Sequence, residues 1–301
     1  MPNMPTSDVA APCQPVERTV AYDRYGPDVP DSPIIISVPH AGRNYPQSLL
    51  AKARVPLAAL QKLEDRFADL LVHRLVDRGY AVVIARAPRA IIDLNRSERE
   101  IDPFMVRGLA HGHALTTSAK LRGGLGLVPR RMQGVGELWL APLEWTELAA
   151  RIEGIYRPYH AMLAELMDKA RAAHGHAILL DIHSMPSLAE GSEPPPGIVL
   201  GDRFGRSASA RLVTLAADLC AGRGIRTAQN HPYPGSYLIE RHGRPERGLH
   251  ALQVEIDRAL YLDAAHAFPG PGLGAMQALV ADMASMLGTE IPGAHFAQAA
   301  E

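Results

Sequence analysis

Ala177-Ile-Leu-Leu-Asp-Ile-His183 is apolar at every position except Asp181 and the closing His183. A half-exposed strand alternates polar with apolar residues, so this continuity predicts a strand buried on both faces, as in a parallel sheet covered by helices. The pattern extends in both directions. Upstream, apolar spacing predicts a long helix from about Trp145 to Ala173, and Ile34–Val38 and Tyr80–Ala85 read as two further buried strands. Between these, Leu60, Leu63, Phe67, Leu70, Leu71 and Leu75 recur at helical spacing, which predicts one helix over Leu57–Asp77 closed by Gly79. Downstream, Ile198–Leu200 is a candidate strand, Ser207–Gly222 a helix, His250–Ile256 a late strand and Gly272–Leu287 a closing helix. Strands alternating with helices predict a three-layer α/β/α fold around a mostly parallel mixed sheet. Residues 1–16, rich in Pro and polar residues, read as a mobile lead-in, and 17–301 as one domain. Two segments carry no period, Ser97–Gly136 and Ser187–Gly197. In an open α/β sheet such segments shape or cover a pocket beyond the carboxyl ends of the strands.

Composition narrows the function classes. Over 301 residues, 47% hydrophobic and 21% charged residues are ample for a core and exclude disordered and collagenous classes. A formal net charge of −1, with no basic run longer than Arg130-Arg131, argues against nucleic acid as a partner. No stretch approaches eighteen uninterrupted apolar residues, so no membrane span is expected. Met1–Asp8 shows neither the basic nor the apolar region of a secretory signal, and a cytoplasmic location is expected. With Cys13 and Cys220 the only cysteines, a metal site would be built from His and carboxylate ligands.

Those residue types gather where strands end. His40 follows Ile34–Pro39, with Gly42 permitting a tight turn, and His183 ends the strand from Ala177. Glu255 and Asp257 close the late strand, and Glu64 and Asp65 stand in the helix after His40. Each histidine alone reads more readily as a polar residue closing a strand. Together, two imidazoles and a carboxylate form the open three-ligand set of a catalytic zinc site, and a further carboxylate serves as base toward water. Asp181 shares a face with His183 and is placed either to orient its imidazole or to bond a neighbouring loop. The segment Arg86–Arg96 offers Arg89 for an oxyanion and Asn95 with Arg96 for a carboxylate; the alternative for these arginines is pairing with surface carboxylates. His111, His113 and His242 read as loop histidines, poor templates for a metal.

Five ordered motifs, Val38-Pro-His-Ala-Gly42, Asp93-Leu-Asn-Arg96, Asp181-Ile-His-Ser184, Arg241-His-Gly-Arg-Pro245 and Leu252-Gln-Val-Glu-Ile256, resemble the N-formylglutamate amidohydrolases. The resemblance runs from about Ile34 to the C-terminal helix. It implies a fold akin to zinc-dependent exopeptidases, with an eight-stranded mixed sheet between helices. It also implies hydrolysis of N-formyl-L-glutamate or a similar small N-acyl amino acid, a step in one route of histidine breakdown. By the same analogy His40, Asp65 and His183 hold Zn2+ or another divalent metal, and Glu255 is the general base. Asp65 is the family's choice from its distance to Gly79, whereas helical phase sets Glu64 nearer the apolar face. Asp93-Leu-Asn-Arg96 also looks like the carboxylate-binding element of aspartoacylases. Two other readings follow from the same residues, a zinc deacylase or small peptidase of aspartoacylase type and a metal-binding protein without catalysis. The chain departs from the family at Leu63, where a second acid is common, and after Ser97.

Overall fold

The computed structural model describes residues 14–109, 114–189 and 194–290. The lead-in 1–13 with Cys13, the histidines His111 and His113, and Glu193 of the second aperiodic segment lie outside the described residues.

One eight-stranded sheet organises the molecule. In chain order its strands are β1 (Glu17–Arg18), β2 (Tyr22–Tyr25), β3 (Ile34–Val38), β4 (Ala81–Ala85), β5 (Ala177–Met185), β6 (Ile198–Gly201), β7 (Thr227–Gln229) and β8 (Leu249–Asp257). Across the sheet they run β1-β2-β4-β3-β5-β8-β6-β7. The central four, β4, β3, β5 and β8, are parallel. Antiparallel β2 and β6 flank them, β1 is antiparallel to β2, and β7 is parallel to β6. β3 and β5 are buried at every position, as continuous apolar strands between two helical layers must be. On one face Ile35, Val83, Leu179 and Ala251 pack with Tyr159, Leu163 and Leu166 of α1 (Arg157–His174). On the other, Ile34, Val82, Ile178 and Leu252 meet Leu212 of α2 (Ala210–Ala221) and Leu279 and Met283 of α4 (Leu273–Gly288). The three-layer mixed α/β fold is that expected from the pattern. The outer strands β1, β2 and β7 were not expected; they are short and carry polar residues such as Glu17, Arg18, Asp23 and Gln229, so no apolar run marks them.

The continuous helix expected over Leu57–Asp77 does not form. The chain makes short turns over Leu57–Leu60 and Gln61–Leu63, extends at Glu64 (ψ 149°), and turns through Phe67 in the left-handed region (φ 57°) before Ala68–Leu71 and His73–Asp77. The Asp65 amide donates to the His40 carbonyl at 3.0 Å, which holds the break against the end of β3. A second correction concerns Arg241-His242, which ends the helix α3 (Tyr237–His242) and is not a loop. Its imidazole is buried against His160 of α1, Nε2 to Nδ1 at 3.0 Å, so it is committed to the core.

Candidate active site

The register of the sheet assembles most of the site. β5 pairs Asp181 with Ser37 of β3 and with Gln253 of β8, and it pairs His183 with Glu255 of β8. The twofold periodicity of strands puts Asp181, His183, Gln253 and Glu255 on one face. His40 lies just past the end of β3, where Gly42 makes its turn possible: a Cβ there would stand 2.2 Å from the Ala87 carbonyl oxygen. The break after Gln61–Leu63 then brings Asp65 to the same edge.

His40, Asp65 and His183, all buried, form a group whose ligand atoms lie within 4.8 Å of one another. Asp65 Oδ2 stands 2.7 Å from His183 Nδ1 and 3.4 Å from His40 Nδ1. Each imidazole is fixed from behind: His40 Nε2 meets Asp93 Oδ1 at 2.7 Å, and His183 Nε2 meets Asp181 Oδ2 at 2.9 Å. A carboxylate accepts from a ring N–H, so His40 carries its proton on Nε2 and turns Nδ1 inward, the arrangement of a metal-ligating histidine backed by an acid. His183 lies between two carboxylates, with Asp181 behind it and Nδ1 turned inward to Asp65. His40 Nδ1 is buried without a hydrogen-bond partner. An orphaned inward nitrogen, a second imidazole and an ionised carboxylate are the donor set that a divalent cation takes. Burial pushes the Asp65 carboxyl up, but its bond to His183 and the neighbouring imidazole of His40 outweigh this and hold it below the ordinary range. Burial likewise opposes the charged form of His183, and Asp181 and Asp65 outweigh it, so its pKa is raised.

Glu64, the alternative to Asp65, turns away. Its carboxylate accepts from the Tyr45 hydroxyl at 2.8 Å and pairs with Arg66 at 2.9 Å. The helical phase that favoured it does not exist, because the helix is broken at that residue.

Asp93 is the hub of the neighbouring wall. Besides His40 it binds Arg89 Nε at 2.9 Å through Oδ2 and accepts from the Asn95 amide at 2.9 Å. Burial opposes its ionisation, yet Arg89 and Arg96 hold its carboxyl well below the ordinary range. Arg96 donates to the Asn95 and Leu125 carbonyls and to Ser236 Oγ. The Asn95 side chain is engaged by protein groups, its Oδ1 accepting from the Leu238 amide at 2.7 Å and its Nδ2 lying 3.2 Å from His183 Nε2 and 3.4 Å from Gln253 Oε1.

His40, Asp65, Arg89, Asn95, Arg96, His183 and Glu255 all line one cavity of about 430 Å³, while Asp181 stands behind His183. Glu255 accepts from Gln253 Nε2 at 2.8 Å, and burial raises its pKa. The sequence reading did not single out Lys62, Lys120, Tyr233 and Arg258, which line the same cavity. Arg258 donates to the Glu64 carbonyl and Ser184 Oγ, and lies 3.6 Å from Asp65. The aperiodicity of 97–136 was the one signal for Lys120, and nothing comparable marked Arg258.

No helix among the described residues is long and apolar enough to cross a membrane. Comparison with known proteins agrees with the motifs. The family model described as N-formylglutamate amidohydrolase matches residues 32–262. An N-formylglutamate deformylase of Pseudomonas putida is 29% identical over 241 residues, 78% of this chain and 84% of that protein. A protein of the same name from Pseudomonas aeruginosa is 26% identical over 77% of this chain and 82% of its own. The crystal structure of an N-formylglutamate amidohydrolase from Ralstonia eutropha JMP134 superposes with a TM-score of 0.82 at 29% identity, covering 89% of this chain and 97% of that one. The family match spans all the residues of the site just described, from His40 to Glu255, and the chain belongs to the N-formylglutamate amidohydrolase family.

Proposed function

We propose that this protein hydrolyses the amide bond of N-formyl-L-glutamate or a close N-acyl relative, with a divalent metal, zinc first among candidates, held by His40, Asp65 and His183. The observation that carries this reading is the inward set of two Nδ1 atoms and Asp65 Oδ2, with His40 Nδ1 orphaned, on a cavity that also holds Glu255 and Arg89. When bound, such a cation acidifies water and polarises an acyl carbonyl.

The chain's own groups then divide the work. Glu255, beside His183 in the sheet register, takes the proton of the attacking water and passes it to the leaving amine. Its raised pKa, caused by burial, suits it to hold that proton between the two events. Arg89 is fixed at Nε by Asp93, which leaves its terminal nitrogens to meet the developing oxyanion. Arg96 faces the α-carboxylate of the substrate, and Asn95 keeps Arg96 and the loop before α3 in place through its carbonyl and side chain. A single catalytic domain over 17–301 and a cytoplasmic location belong to the same reading.

The test pairs elemental analysis of purified protein with formate release from N-formyl-L-glutamate before and after chelation. About one metal per chain and turnover that chelation abolishes and readdition restores are expected. Turnover untouched by complete removal of metal would overturn the metal-dependent reading.

A further inference from the structure

The cavity wall carries more positive charge than the residues around it neutralise. Arg89 is paired with Asp93 at 2.9 Å, and Arg258 is bonded to the Glu64 carbonyl and Ser184 near Asp65. Arg96 is bonded to the Asn95 and Leu125 carbonyls and to Ser236. The two lysines of the lining, Lys62 and Lys120, differ in having no carboxylate of the described residues within ion-pair distance, and the Lys120 ammonium lies 5.9 Å from the ring centroid of Tyr233.

The backbone ties Lys120 to Arg96. The Leu125 amide donates to the Lys120 carbonyl at 2.9 Å, and the Leu125 carbonyl accepts from Arg96 Nε at 2.9 Å. Leu125 thus ties the backbone of Lys120 to the guanidinium of Arg96. The turn that bears Lys120, Ala119–Arg122, is capped by Ser118, whose Oγ accepts from the Leu121 amide at 3.0 Å. Partial burial, followed by the fields of Arg96 and Arg89, lowers the Lys120 pKa against the weaker opposing fields of Glu255 and Asp93.

We propose that Lys120 recognises the side-chain carboxylate of the substrate, so that the pocket selects N-acyl amino acids bearing a second anion over neutral ones. This rests on the amide hydrolysis proposed above, with Arg96 taking the α-carboxylate. Two cations held on one wall then meet two carboxylates on one substrate. Lys120, whose backbone is tied through Leu125 to Arg96 and which has no carboxylate of the described residues at ion-pair distance, reads the group that distinguishes an acidic side chain from a neutral one of equal shape.

The experiment measures binding and turnover separately. Calorimetry compares L-glutamate with its neutral isostere L-glutamine on the native protein, Lys120→Met and Lys62→Met, and kcat/KM is determined for the two N-formyl derivatives. The native protein is expected to favour the acidic member of each pair by about 10–100-fold, the range of one charge-assisted hydrogen bond. Lys120→Met is expected to lose that preference, through KM, with N-formyl-L-glutamine turned over as before. A native protein that does not favour L-glutamate, or a preference that survives in Lys120→Met or disappears only in Lys62→Met, would overturn the assignment. Equal losses for both substrates would also overturn it, by making Lys120 structural. If the native protein turns over neither substrate yet Lys120→Met abolishes a binding preference for L-glutamate, the proposed reaction falls and the carboxylate site stands.

Discussion

Asp93 and Asp181 perform the same task from opposite sides of the site, each accepting from the Nε2 of one histidine so that Nδ1 points inward. Asp181→Asn replaces an anion by an amide that no longer compels this tautomer. It is expected to weaken metal affinity by about 10–100-fold in a competitive chelator titration. Glu255→Gln is expected to behave in the opposite way. Its side-chain oxygen can still accept from Gln253, and it supplies no metal ligand in the proposed set, so metal content should persist while turnover falls by about 10²–10⁴-fold. Full activity in metal-loaded Glu255→Gln would remove Glu255 as the base. The histidines and Glu255 stand out in the sequence because buried strands rarely end on polar residues without cause. The link from Asp93 to His40 does not, because it joins residues 53 positions apart and depends on how two turns pack.

At the scale of elements, the strands are readable from unbroken apolar runs such as Ile34–Val38, while the segment that supplies Asp65 is not. Leu60, Leu63, Phe67 and Leu71 do face the core or its margin, and this satisfies a helical pattern although the backbone leaves the helix between them. What overrides helical propensity is tertiary: the bond from the Asp65 amide to the His40 carbonyl and the left-handed Phe67. Two glycines near this unit separate site geometry from general stability. At Gly42 an added methyl meets the Ala87 backbone on the far side of the His40 turn, whereas at Gly79, with φ 79°, nothing lies within 4 Å. Gly79→Ala is expected to cost about 1–2 kcal/mol of stability through its left-handed conformation and to leave metal affinity intact. Gly42→Ala is expected to push His40 from Asp93 and weaken metal binding as well. Thermal unfolding read beside metal titration distinguishes the two, and equal metal affinities would show that the His40 turn yields without moving its imidazole.

For the whole molecule, the layer opposite α2 and α4 conceals a dependence on pH that does not involve the metal. His160 of α1 bonds the Leu94 carbonyl through Nε2 at 3.0 Å, so its Nδ1 accepts from His242 Nε2 of α3, and the two rings stack. This pair joins α1, α3 and the loop that carries Asn95 and Arg96, and both rings are neutral in that arrangement. Burial, and after it the positive field of Arg241, pushes His242 down to about 3; burial, then His242, holds His160 well below its ordinary value. The unfolded chain binds these protons near pH 6.5, its unperturbed histidine value, whereas the folded chain refuses them. Stability from the pair is therefore complete above that pH and declines as pH falls toward the folded values. The metal-free protein is expected to lose stability from pH 6.5 downward, each such histidine contributing about 1.4 kcal/mol per pH unit at full slope. His242→Gln retains a donor that can reach His160 Nδ1 but removes the titrating ring. Denaturant unfolding of both proteins between pH 7 and 5 is expected to give a shallower decline in the variant. Parallel declines would show that the fold admits a proton at His242 and that acid loosens the molecule elsewhere.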